Sequence, residues 1–248
     1  MRKSDRQPLF DGFGNRLAIK SLGDFATKLR GINWHAPVDE TRREEKHAIL
    51  GLLWTRARNE LLEYPFRLVE EENDPPDFTL EVGGHTHGIE VTQITTGKHR
   101  QAFGHIRKNQ PKGETWVVAG ESEVLRPNEA PTGDGYGGGE AERQFCELVG
   151  SRVREKCGKQ YAKDVMARFT SHLKNELLLY ERYPLGISLC PDTVPLAPLK
   201  QAVIDQITHP FSSVSIVKGS VPAGWVLLET EGPQTLLDYE DPSSPGLV

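Results

Sequence analysis

The stretch Asp74-Pro75-Pro76-Asp77-Phe78-Thr79-Leu80-Glu81-Val82-Gly83-Gly84-His85-Thr86-His87-Gly88-Ile89-Glu90-Val91-Thr92-Gln93-Ile94 decides how this chain folds. Gly83-Gly84 lies between two strand-forming runs, the signature of a tight β-hairpin. The spacing predicts strands at 78–82 and 88–94. Period-two alternation puts Gly88, Glu90 and Thr92 on one face of the second strand and Ile89, Val91 and Gln93 on the other. Glu90 therefore interrupts an apolar run, where a carboxylate is stable only if it is paired, hydrogen-bonded or bound to a metal. Asp77 stands at the entrance of the first strand, behind two prolines, so Asp77 and Glu90 are neighbours at one end of the sheet. Two carboxylates with a backbone carbonyl suit Mg²⁺.

Upstream, Thr41 followed by Glu44 and Glu45 reads as a helix start. Ile49, Leu52, Leu53, Leu61 and Leu62 continue it at helical spacing as far as Tyr64-Pro65. A strand is expected at 66–69 and an acidic turn at 70–76. Downstream, 95–112 is polar and basic, a loop or short helix, and 116–119 suits a strand. Residues 127–139 hold two Pro and five Gly and read as a mobile loop. A second helix is predicted over 140–160, with Phe145, Val149 and Val153 on one face. Strand material follows at 177–180 and 186–190, a late helix at 196–207, and short strands at 214–217 and 225–228. This order predicts an α/β fold: a mixed central β-sheet flanked by helices. The expected organisation is a weakly patterned N-terminal segment over 1–38, a single α/β domain over 39–231 and a flexible tail over 232–248.

Composition narrows the function classes. The 248 residues, 37% hydrophobic and 26% charged, suffice for one large core. No apolar run approaches the roughly 20 residues of a membrane span, and the N-terminus lacks the apolar stretch of a signal peptide. Cys146, Cys157 and Cys190 show no Cys-x-x-Cys spacing, which points to a reducing cytoplasm without a structural zinc. A net charge of −5 lacks the global basic signature of a dedicated DNA-binding module, but a local patch is sufficient for nucleic acid.

Pro76-Asp77, twelve intervening residues, then Glu90-Val91-Thr92 resembles the PD-(D/E)xK nuclease superfamily, the restriction-endonuclease-like proteins. The resemblance covers roughly residues 40–190 and implies a restriction-endonuclease-like α-β-β-β-α-β core. It implies a nuclease-like protein that hydrolyses phosphodiester bonds of nucleic acid, DNA in the first instance. Asp77, Glu90 and Val91 would hold the metal, without a small-molecule cofactor, and a homodimer is compatible with the family. The family's lysine, two positions after the second acid, is replaced here by Thr92. Lys156 is one substitute, because Val149, Val153, Lys156 and Gln160 follow one helical stripe. Lys98, just beyond the strand, is another. Glu45 and Gln160 would assist.

Plainer readings stand beside these. Asp77 is also a common turn residue after proline, Glu90 a salt-bridged strand carboxylate, and Glu45 a complement to the helix dipole. Lys156 suits a helix C-terminus on dipole grounds alone. His85 and His87 read as a solvated turn more readily than as a zinc site. Lys98, Arg100, Arg107 and Lys108 are candidates for phosphate-backbone contact, a patch that Arg152, Arg154, Lys156, Lys159 and Lys163 would extend. Without a lysine at position 92, a catalytically inactive member of the same fold, binding nucleic acid or protein, is the competing expectation.

Overall fold

The computed structural model describes residues 8–34, 40–72, 75–94, 140–181, 196–220, 223–229 and 237–240. The expected strands at 116–119 and 186–190 and the glycine-rich loop at 127–139 lie outside the described residues.

The N-terminal part is more regular than its sequence suggests. Strand β1 (Arg16–Ile19) buries Leu17 and Ile19 by alternation. Helix α1 (Leu22–Gly31) is capped at Ser21, whose Oγ accepts the Asp24 N–H at 3.2 Å, while Asp24 Oδ2 accepts the Lys20 N–H at 2.8 Å. Phe25 and Leu29, one turn apart, are fully buried against the same core as the sheet. The elements are short, so their periodicity is hard to read, and tertiary burial rather than propensity holds them.

Helix α2 (Glu40–Arg58) ends well before Tyr64. The Leu61 N–H bonds the Arg56 carbonyl at 2.8 Å and the Glu60 N–H bonds the Ala57 carbonyl at 3.3 Å, a Schellman closure. Its left-handed position is Glu60, with φ of 58°. A Cβ is unfavourable in that conformation. Glu60→Gly is therefore expected to raise stability by up to about 1 kcal/mol, the relief outweighing the extra freedom of the unfolded chain. Equilibrium urea denaturation measures it, and a destabilised variant would show that the Glu60 side chain contributes more than its strain costs.

Strands β2 (Phe66–Glu70), β3 (Phe78–Val82) and β4 (His85–Gln93) form an antiparallel meander with β1. Gly83 and Gly84 make the two-residue hairpin with φ of 56° and 79°, as a type I′ turn requires. His85 and His87 belong to the start of β4, not to the turn. Helix α3 (Glu140–Cys157) and helix α4 (Lys163–Thr170) then bring the chain to β5 (Lys174–Glu181), parallel to β4. Helix α5 (Leu196–Ile204) leads to β6 (Ser213–Ser220), parallel to β5. The six-stranded mixed sheet β1–β6 is continued at one edge by β7 (Ala223–Glu229) and β8 (Leu237–Glu240), both antiparallel. Part of the expected flexible tail is thus a paired edge strand.

The sheet divides two cores. Ile89, Val91, Leu178 and Tyr180 face α1 and α2, whereas Leu177, Leu179, Val214 and Ile216 face α3, α4 and α5. Gly150 of α3 permits close approach to α5, since a Cβ there would meet the Ala202 carbonyl oxygen at 3.2 Å. Ion pairs cross from α2 to the sheet: Arg42 pairs with Glu70 at the end of β2, and Arg56 donates to both Glu176 oxygens at 3.0 and 2.7 Å and to Ser215 Oγ at 3.0 Å. No helix of the described residues is long and apolar enough to cross a membrane.

Candidate functional site

Extending the β3–β4 register, in which Phe78 faces Ile89, by one residue sets Asp77 opposite Glu90. Asp77 follows a cis Pro75–Pro76 peptide. Its Oδ2 accepts the Val91 N–H at 2.8 Å, which ties the carboxylate to the carboxyl-terminal part of β4. The Ile94 N–H bonds the Tyr180 carbonyl, so the even-numbered residues of β4 direct their peptide groups towards β5. The Val91 carbonyl therefore turns to the Asp77 side, where β3 has not yet begun.

Asp77, Glu90 and Val91 line a cleft of about 410 Å³ at the carboxyl end of β4. That end of a parallel strand is where ligands bind in open α/β sheets. Glu90 is nearly enclosed, its side chain only 7% exposed. Its Oε1 accepts from Lys156 Nζ at 2.9 Å, and its Oε2 is buried with no hydrogen-bond partner among the described residues. An orphaned carboxylate oxygen inside a protein is costly, and a bound cation would satisfy it.

Helix α3 supplies the cations. Arg152 and Lys156 line the cleft at a spacing of four, neighbours on one helix face, and Lys159, just past the end of the helix, lines it too. Thr92, which shares a strand face with Glu90, receives a hydrogen bond from Arg152 Nη2 at 3.0 Å. Arg152 Nε donates to the Gln93 carbonyl, also at 3.0 Å. A guanidinium from the helix thus sits beside position 92. Nearby, Tyr161 packs edge-on against Phe169 and donates to the Lys156 carbonyl at 3.3 Å. Burial first, then the negative charges of Glu90, Cys157 and Asp77, push its phenol far above the ordinary range.

Glu45 of α2 also lines the cleft, beside Thr41. Gln160 does not: α3 stops at Cys157, and Gln160 is exposed beyond it. The helix closes where the Gly158 N–H bonds the Arg154 carbonyl at 2.8 Å, glycine being a poor continuation of a helix. The predicted stripe therefore ends one turn early, and Lys159 is the residue that lines the cleft. Lys98, Arg100, Arg107 and Lys108 lie outside the described residues. Nothing in the sequence singles out the tether of Arg152 to β4, although the spacing of four puts Arg152 and Lys156 on one helix face.

Among the described residues, no group of three or more His, Cys, Asp and Glu side chains is placed to hold a metal. A hard divalent ion such as Mg²⁺ needs only one or two carboxylates, with water completing its shell. The donors Asp77, Glu90 and the Val91 carbonyl are all oxygens and fit that chemistry. His87 and His172 are held below the usual imidazole range mainly by burial, so they contribute little positive charge near β4. The chain matches no protein-family model, no curated protein and no solved structure.

Proposed function

We propose that this protein is a metal-dependent, nuclease-like hydrolase of nucleic-acid phosphodiester bonds, built on a restriction-endonuclease-like arrangement of the sheet and α2, α3 and α5. The observation that carries this reading is one cleft lined by Asp77, Glu90 and Lys156, in which Lys156 lies 2.9 Å from a Glu90 whose second oxygen has no partner among the described residues. Asp77, Glu90 and the Val91 carbonyl would hold Mg²⁺ or Mn²⁺. When bound, such an ion supplies an activated water and charge stabilisation for the transferring phosphoryl group.

The chain's own groups then have separate tasks. The Val91 N–H fixes the Asp77 carboxylate, so its orientation is set before any ligand arrives. Lys156 Nζ uses one of its three donors on Glu90, leaving two to orient a water and a phosphate oxygen. Tyr161 keeps its proton and braces the end of α3 through the Lys156 carbonyl. DNA is the expected substrate.

The rival is a non-catalytic nucleic-acid- or protein-binding domain. It draws on Thr92, whose hydroxyl accepts from Arg152 and brings no cation of its own. Incubation with linear and circular DNA, single-stranded DNA and RNA, in Mg²⁺, Mn²⁺ or chelator, separates the two. Cleavage is expected only with metal, and Asp77→Asn is expected to lower it by at least about a hundredfold. Undiminished cutting by Asp77→Asn would remove the proposed site. Metal-independent binding by the wild type without cutting would favour the rival.

A further inference from the structure

Arg152 is held at several points of its guanidinium. Nε donates to the Gln93 carbonyl, Nη2 to Thr92 Oγ1, and Nη1 to Glu155 Oε2. Three of the five N–H donors of an arginine are thereby committed. Among the described residues, the other two, one on Nη1 and one on Nη2, have no partner. The side chain is only 21% exposed and lines the cleft, so its guanidinium lies beside the carboxylates with little contact with bulk water. The two β4 acceptors are part of the sheet and hold the group rigid. Glu155, 65% exposed, is a rim residue that water can replace. An arginine needed only to fasten α3 to the strand would not have to line a polar cleft beside two carboxylates.

We propose that Arg152 is a pre-oriented phosphate clamp, whose terminal guanidinium edge grips the two non-bridging oxygens of one backbone phosphodiester of a nucleic-acid strand. This assignment rests on the reading of the cleft as a phosphodiester site and adds the residue that positions the strand in it. Planar, forked donors match a phosphate bidentately, and a clamp already immobilised loses little entropy on binding. Lysine cannot replace it, because an ammonium lacks the fork and cannot hold the Thr92 and Gln93 oxygens and a phosphate in one plane. Lys156 and Arg152 thus divide the work: Lys156 attends to the carboxylates and Arg152 to the strand.

The test is binding of fluorescent single-stranded and duplex DNA to the full chain in chelator, followed by cleavage in Mg²⁺ and Mn²⁺. Wild type, Arg152→Lys, Arg152→Gln and Thr92→Val are compared, with thermal melting as the check on folding. Arg152→Lys is expected to weaken binding about tenfold despite keeping its charge. Arg152→Gln should also lower the slope of log affinity against log salt by about 0.7–0.9, the release of one counterion fewer. Thr92→Val, which removes one tether, should weaken binding with the slope unchanged. Inorganic phosphate should compete poorly, since the clamp is proposed for a strand.

Wild-type binding or cleavage that Arg152→Lys and Arg152→Gln leave intact overturns the clamp and spares the hydrolase reading. Binding that depends on Arg152 without cleavage in any metal keeps the clamp and removes the hydrolase. Neither binding nor cleavage by a folded wild type overturns both. Strong competition by inorganic phosphate would reassign the clamp to free phosphate and overturn it as a strand contact.

Discussion

Lys156→Met is expected to destabilise the metal-free protein by about 3–5 kcal/mol, the usual cost of removing one partner of a buried ion pair. Glu90 is 7% exposed, and Lys156 is its hydrogen-bond partner. Its other oxygen is already without one among the described residues. Methionine keeps the apolar stem, so the loss isolates the charge rather than the packing. In a chain of this size the melting temperature should fall by roughly 6–20 °C.

Two further measurements identify the cause. Lys156→Met combined with Glu90→Gln should recover most of the stability, because no ionised carboxylate is left alone. Mg²⁺ should raise the melting temperature of Lys156→Met more than that of the wild type, if the cation takes over the charge of Glu90. Equal Mg²⁺ effects in the two proteins would argue against metal on Glu90. A loss below about 1 kcal/mol would show that the pair behaves as an exposed one.

Arg56→Met should have an effect of similar size, about 3–5 kcal/mol at neutral pH, for a reason unconnected with the cleft. Burial acts to raise the Glu176 carboxyl. The charge and hydrogen bonds of Arg56, helped by Ser215, outweigh it and hold Glu176 below the ordinary carboxylate range. A carboxyl depressed in the folded state contributes stability above its unfolded value, near 4.5, and loses it as pH falls through the folded value.

Without Arg56 the sign reverses. Burial alone would then raise Glu176, so the folded variant binds the proton more tightly than the unfolded one. The gap between wild type and Arg56→Met should be widest at neutral pH and close as pH falls through the mid-acid range. Chemical denaturation at a series of pH values reads this directly. A gap that stays constant would mean that Arg56 contributes by packing and not by pairing with Glu176.

The hairpin was legible because local rules govern it. Two consecutive glycines demand a type I′ turn, and alternation then assigns every side chain from Phe78 to Ile94 to a face. Lys156 was within reach of helical periodicity, which carried Val149 and Val153 inward with it. The same rule overran at Gln160, since the spacing continues past Gly158 while the backbone does not. Helix α1 and strand β1 were missed because ten- and four-residue elements hold too few turns to show a pattern.

Thr92 marks the limit of the local reading. From the sequence, it is a strand position with a hydroxyl where a cation was expected. That two acids would share one end of a sheet followed from strand geometry and chain order alone. That Arg152, sixty residues further on, reaches back to Thr92 Oγ1 is a different kind of fact. So is the ion pair of Arg56 and Glu176, 120 residues apart. Such contacts depend on how α2 and α3 pack on opposite faces of the sheet, through cores set by many weak apolar contacts. Periodicity says which side of an element is apolar. Only close packing of the assembled layers decides which distant polar groups come within hydrogen-bonding distance.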